Sequence, residues 1–244
     1  MDSFVSFTNQ SQGRDRIFRA TQYACMLLSY LLENRTDKEK VVKKLKQVES
    51  NISSGRKLFR IGNVVHALEA SKRTAQLPDC VPRLFMTIAH LNRALYFVCD
   101  SVLWLRSVGL ITDINKEKWR HRATRFYYFS LLLHLGRDVY EIFLKMDQKT
   151  HHKKNKVEGP DQNFNGGTSH DEVERFYPFF VSFCCNLRSH PAVLLDITKN
   201  ICDLFSPLDR LGIYKTNPGM IGMCGFISSL VGIITLASPH LKIK

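Results

Sequence analysis

The 244-residue chain has none of the short patterns that organise catalysis: no GxSxG, Walker A, GxGxxG or HExxH occurs, and its nine histidines are scattered. An enzyme is therefore the class with least support, and no cofactor or metal is expected. No CxxC is present among the seven cysteines, and no histidine stands at metal-ligand spacing from a cysteine pair. They sit mostly in apolar runs and are read as reduced, buried thiols facing a reducing compartment. The opening MDSFVSFTNQ lacks the basic flank and apolar stretch of a secretory signal, so membrane insertion would be directed from the cytosol by internal segments. Acidic residues are few, 22 against 35 Lys and Arg, and the resulting +13 draws the chain to anionic surfaces. With no helix-turn-helix, RNP or zinc-finger pattern, nucleic acid is not an expected partner. Residues 1–83 carry 15 Lys/Arg against 8 Asp/Glu, which makes the N-terminal third the more basic surface.

What the chain does have is helical periodicity. Ile17, Thr21, Ala24, Leu28, Leu31 and Leu32 recur at three-and-four spacing behind Arg14, Arg16 and Arg19. After the Asn34-Arg35-Thr36 break, Val41, Leu45, Val48 and Ile52 form a narrow stripe among lysines, and Ser53-Ser54-Gly55 ends that helix. A third helix is expected over 56–77. Leu58, Ile61, Val64, Val65, Leu68 and Ala75 fall within about a third of its circumference, with Arg56, Arg60 and Arg73 elsewhere and Lys72 intruding by snorkelling. Such a helix either packs in a bundle or lies in a membrane interface.

Residues 84–105 would rise ~33 Å as a helix, close to the ~30 Å of bilayer hydrocarbon. Arg93 and Asp100 interrupt them, seven residues apart on one face, so that both can turn toward a partner or a polar cavity. A basic opening at 116–125 leads into the apolar run Phe126 to Gly136, too short to span unaided. Residues 147–172, with HHKKNK and GPDQNFNGG, read as a flexible loop in which His151 and His152 are solvated. Phe176 to Leu208 reads as two short helices turning at His190-Pro191. From Thr216 to Leu241 no charged side chain occurs, and Met220 to Ala237 supplies ~27 Å of apolar helix between Pro218 and Pro239. Gly225 with Ser229, and Ser228 with Gly232, are small residues four apart, a pattern for close helix packing and self-association. Lys242 and Lys244 behind them favour a cytosolic C-terminus.

Two long stretches, FTNQSQGRDRIFRATQYACMLLSYLL (Phe7 to Leu32) and PLDRLGIYKTNPGMIGMCGFISSLVGIITLASP (Pro207 to Pro239), closely resemble the peroxin-11 family of peroxisomal membrane proteins. SSGRKLFRIGNVVHALEA, LNRALYFVCDSVLWLRSVGL and INKEKWRHRATRFYYFSLLL are similar to the same family in the same order, nearest its alpha type. The resemblance implies an integral peroxisomal membrane protein with both termini in the cytosol, which tubulates its membrane before dynamin-driven fission. It also implies homo- and hetero-oligomers and contact with a dynamin-like GTPase and its adaptors. Coatomer binding through a dilysine-type tail belongs to the same expectation, but this chain departs from it: Lys242 is kept and His240 stands where the signal wants a lysine.

The expected architecture is an all-α membrane protein: an amphipathic cytosolic region at 1–83, a central span at 84–105, a helical region at 106–217, a transmembrane helix at 218–239 and a cytosolic tail at 240–244. Leu58, Ile61, Val64, Val65 and Leu68 are the expected inserting residues, Arg56, Lys57, Arg60 and Arg73 the expected contacts to lipid headgroups, and Gly225, Ser228, Ser229 and Gly232 the expected packing face. The rival function is a channel for small metabolites, with Arg93 and Asp100 lining its pathway.

Overall fold

The structure is a computed structural model that describes residues 11–33, 38–157 and 187–238, together with residues 181, 183 and 185. Among the described residues the regular elements are all helical. They are α1 (Ser11–Leu32), α2 (Glu39–Phe59), α3 (Asn63–Thr74), α4 (Cys80–Ser107), α5 (Lys116–Val157), α6 (Pro191–Arg210) and α7 (Pro218–Ala237). Pro191 and Pro218 each stand in the first turn of their helix, where a missing N–H costs nothing and the fixed φ suits the start. Two helices end on glycine. Gly109 (φ 81°) follows α4 and Gly212 (φ 72°) follows α6, and each lets the next amide reach back, Leu110 to Leu105 O and Ile213 to Leu208 O, both at 3.1 Å.

Three boundaries differ from the sequence reading. Helix α2 runs through Ser53-Ser54-Gly55 to Phe59, because those residues weaken a helix without breaking it when a neighbour holds it. The expected 56–77 helix is thus divided by a tight turn at Arg60-Ile61-Gly62, closed by Ile61 N–H to Leu58 O (3.3 Å) and Asn63 N–H to Arg60 O (3.0 Å). Helix α5 likewise continues to Val157, so HHKKNK is helical and not loop. The remainder of the expected loop at 158–172, the Asn34-Arg35-Thr36 break, Pro178 and the 240–244 tail lie outside the described residues. The turn at His190-Pro191 stands where the sequence puts it.

Contacts join the helices in a closed circuit: α1 packs on α2 and α7, α7 on α6, α6 on α5, α5 on α4, and α4 on α3 and, more lightly, α2. The hydrophobic pattern of a water-soluble bundle would turn inward; here it turns outward. Helix α4 exposes Leu84, Ile88, Leu91, Leu95 and Val98, and α7 exposes Met220, Met223, Ile227, Leu230 and Ile234, each an unbroken three-and-four stripe. The interior mixes apolar and polar residues: Leu131, Ile142 and Val193 are almost fully buried, Ala89, Ala94 and Ala123 are buried, and so are Arg56, Asp100, Asp138, Asn200, Asp203 and Ser228. Greasy stripes cannot face water on this scale without association. Such stripes are covered by acyl chains or by another protein surface, while the polar residues find one another inside.

Helix α7 is the one helix among the described residues that is long and apolar enough to cross a membrane. Its inner face is Gly219, Gly222, Gly225, Ser228, Ser229 and Gly232, which lets α1 come close. A Cβ at Gly222 would lie 3.0 Å from the Leu27 amide nitrogen, and backbone cannot yield as a flexible side chain can. Gly222→Val is expected to lower stability by about 1–3 kcal/mol, the range for overpacking. Thermal unfolding in detergent reads this, and an unchanged midpoint would show that α1 and α7 are not held at this spacing.

Candidate membrane surface and polar interior

The exposed stripe that the sequence singles out survives the turn at residues 60–62. Leu58 is 50% exposed, Ile61 39%, Val65 68% and Leu68 49%, whereas Val64 is half-buried. The i→i−3 bonds of the turn advance the chain by about one helical turn, and residues 58, 61, 65 and 68 remain exposed before, within and after it. The four side chains are each left about two-fifths exposed or more among the described residues, at the end of α2, in the turn and along α3, and are read as one apolar ridge.

The cations beside the ridge are arranged differently from the sequence expectation. Arg56 and Arg60 were expected at lipid headgroups; the structure turns both inward. Arg56, 8% exposed, donates from Nε to Asp15 (2.9 Å) and from Nη1 to Gln22 (2.7 Å) on α1. Arg60 pairs with Asp100 (3.2 Å) and bonds the Tyr96 hydroxyl on α4. The cause is the extra turn of α2: Arg56 and Arg60 follow the register of α2, whose inner face meets α1 and α4, rather than that of α3. Lys57 is half-buried beside them, and Arg73 alone of the four is exposed, pairing at the surface with Glu69 (3.3 Å).

Gly225, Ser228, Ser229 and Gly232 are likewise engaged inside the chain. Gly225 lies against the Tyr23 ring, Gly232 against the Arg16 guanidinium, Ser229 bonds the Gly225 carbonyl (2.6 Å), and Ser228 donates to Asp203. Ser228 and Ser229 are fully buried. Within the chain this small-residue face packs helix on helix, against α1 and α6.

Asp203 is the centre of the interior. Buried on α6, it takes Arg19 from α1, the Tyr127 hydroxyl from α5 (3.1 Å) and the Ser228 hydroxyl from α7, so four helices meet at one carboxylate. A second cluster holds α5 to α6: Arg137 pairs with Asp138 (2.8 Å) and Asp196 (2.9 Å), and Asn200 donates to Asp138 (3.0 Å). Sequence reasoning missed both clusters, although Asp196, Asn200 and Asp203 recur at three-and-four spacing along one face of α6, the available signal. Arg93 and Asp100 do share one cavity, as their spacing foretold. Asp100 is held by Arg60, and Arg93 stacks over Tyr127 at 5.3 Å.

Burial pushes the Asp138 carboxyl up to about 7, against the lowering pull of Arg137. A folded-state pKa above the ordinary ~3.9 means that this group's stabilising contribution is full below about pH 4 and is lost as pH rises through 7. The melting temperature of the wild type, measured relative to Asp138→Asn, should therefore climb between pH 8 and pH 5. A pH-independent difference would contradict the assignment.

An all-α bundle with its apolar stripes outside, its charges inside and one small-faced spanning helix calls for comparison with known membrane proteins. The family described as Peroxisomal biogenesis factor 11 (PEX11) matches residues 1–237. The chain belongs to the PEX11 family. Peroxisomal membrane protein 11A of Homo sapiens is 54% identical over 245 residues, covering all of this chain and 99% of its own length, and that of Bos taurus is 53% identical with the same coverage. Peroxisomal membrane protein 11B of Homo sapiens is 41% identical over 258 residues, covering all of both chains. This PEX11 chain is thus nearer the A type, and it is a peroxisomal membrane protein with a role in peroxisome biogenesis. No solved structure matches it.

Proposed function

We propose that this chain elongates and tubulates the peroxisomal membrane by wedging the ridge Leu58, Ile61, Val65 and Leu68 into one leaflet while α7 anchors it. The observation that carries the reading is the ridge itself: four large apolar side chains, exposed among the described residues, running from the end of α2 through the turn onto α3 beside a basic surface. Val64 supports the ridge from its flank, and Arg73, Lys72 and the lysines of α2 supply the headgroup contacts. Four such residues with about half their surface in hydrocarbon contribute on the order of 4 kcal/mol. A wedge of that strength alone is reversible; tethering by α7 keeps it at high local concentration. Insertion from one side expands that leaflet, and the bilayer bends toward it.

The same reading places the termini in the cytosol, treats the action as mechanical and not catalytic, and makes oligomers with itself and with other family members the means of aligning many wedges. Because the small-residue face of α7 is occupied within the chain, such association would use the outer stripes. Recruitment of a dynamin-like GTPase through adaptors completes fission, and coatomer stays disfavoured by His240. Vesicles reconstituted with the full-length protein should tubulate; vesicles carrying Val65→Glu/Leu68→Glu should stay round.

The cavity bearing Arg93 and Asp100 favours a second reading, a channel for small metabolites. Planar-bilayer conductance lost in Arg93→Gln would support it, and absence of conductance in the wild type would remove it.

A further inference from the structure

The helical circuit borders a partly open cavity of about 490 Å³ lined by α1 through α6. Ten Lys and Arg side chains border it against three carboxylates, Asp15, Asp100 and Asp203. Each carboxylate is already taken: Asp15 by Arg56, Asp100 by Arg60, Asp203 by Arg19. Two interior guanidiniums are left over. Arg93 Nη1 is buried with no hydrogen-bond partner among the described residues, and its guanidinium stacks over the Tyr127 ring. Arg16 makes no ion pair among the described residues, although Asp203 and Asp15 lie near enough to act on it, and it packs on Gly232. Arg16 is held below the ordinary guanidinium range, first by burial and then by Arg19 and Arg93. A buried donor without an acceptor, beside a second cation of the same sign, is an arrangement that a bound anion completes.

We propose that this cavity is a binding site for a phosphate group, held by Arg16 and Arg93. The guanidinium fork matches the oxygens of a phosphate and bonds two at once, which a halide cannot satisfy, and the volume exceeds what a halide needs. Two sources carry this chemistry: the headgroup of an acidic phospholipid, entering between helices whose outer faces are apolar, and a soluble phosphate. The site lies on the inner side of the bundle and does not depend on the ridge at residues 58–68, so either assignment can fail without the other.

The test uses the full-length protein in a neutral detergent, at constant ionic strength, with tryptophan fluorescence reporting the melting temperature. The probes are inorganic phosphate and dioctanoyl phosphatidic acid, with chloride and dioctanoyl phosphatidylcholine as controls. At a hundredfold excess over Kd, binding should raise the midpoint by about 5–10 °C. Arg93→Gln and Arg16→Gln should each weaken binding tenfold or more. A shift with phosphatidic acid only identifies the lipid, a shift with inorganic phosphate only identifies a soluble ligand, and a shift with both establishes the shared chemistry. No shift beyond the controls overturns the proposal, as does an undiminished shift in the Arg16→Gln/Arg93→Gln protein. If Arg93→Gln does not fold, Arg16→Gln decides alone, since Arg16 makes no direct ion pair among the described residues.

Discussion

Asp203→Ala should unfold the bundle or bring it to the edge of unfolding. The substitution leaves Arg19 buried without a counter-ion and removes the acceptor for Tyr127 and Ser228 together, so the tie among α1, α5, α6 and α7 is lost at one point. Breaking a buried ion pair by removing one partner costs about 3–5 kcal/mol, a large share of the roughly 5–15 kcal/mol that a domain possesses. Thermal unfolding in detergent, or protease sensitivity of the reconstituted protein, reads the loss. The comparison is Glu39→Ala, which removes an exposed i,i+4 pair with Lys43 and should change neither measurably. If the two variants behave alike, Asp203 is not the tie that its four-helix contacts imply.

The second large effect concerns activity and spares the fold. Val65→Glu/Leu68→Glu changes two side chains that are 68% and 49% exposed, so helicity and the melting temperature should be largely kept. Resistance to alkaline extraction should also be kept, because α7 anchors the chain independently of the ridge. Insertion should be lost: each substitution forfeits the apolar transfer of one side chain, about 1–2 kcal/mol at half burial, and adds a carboxylate repelled by acidic headgroups. Tubule length on vesicles, scored by electron microscopy, should fall to the protein-free level. Tubulation at the wild-type level by a protein shown to be folded and anchored would remove the wedge from the mechanism.

The periodicities that mark the helices were legible in the sequence, because a three-and-four recurrence of leucine and isoleucine is local information. The medium those stripes face was not. Leu28 and Leu31 on α1 recur just as they would in a soluble bundle, yet they are exposed, while Gln22, Cys25 and Ser29 face inward. Only the charge-free run of α7, whose inner face is glycine and serine, announced the inversion. The positions of Arg56 and Arg60 were illegible for a different reason. Their side depends on whether α2 stops at Gly55 or continues to Phe59, and helix ends are set by packing on α1 and α4 more than by local propensity. Arg93 with Asp100 could be paired from spacing alone, being on one helix. Arg19 with Asp203, 184 residues apart, could not.

The most direct test of the account is the depth of the ridge in a bilayer. With Trp104 and Trp119 replaced by Phe, a single tryptophan at position 65 should be strongly quenched by lipids brominated along their acyl chains, and one at the exposed polar position Lys44 should not. Equal, weak quenching at both positions in a protein that remains anchored would mean that the ridge stays in water, contradicting the membrane-wedge mechanism.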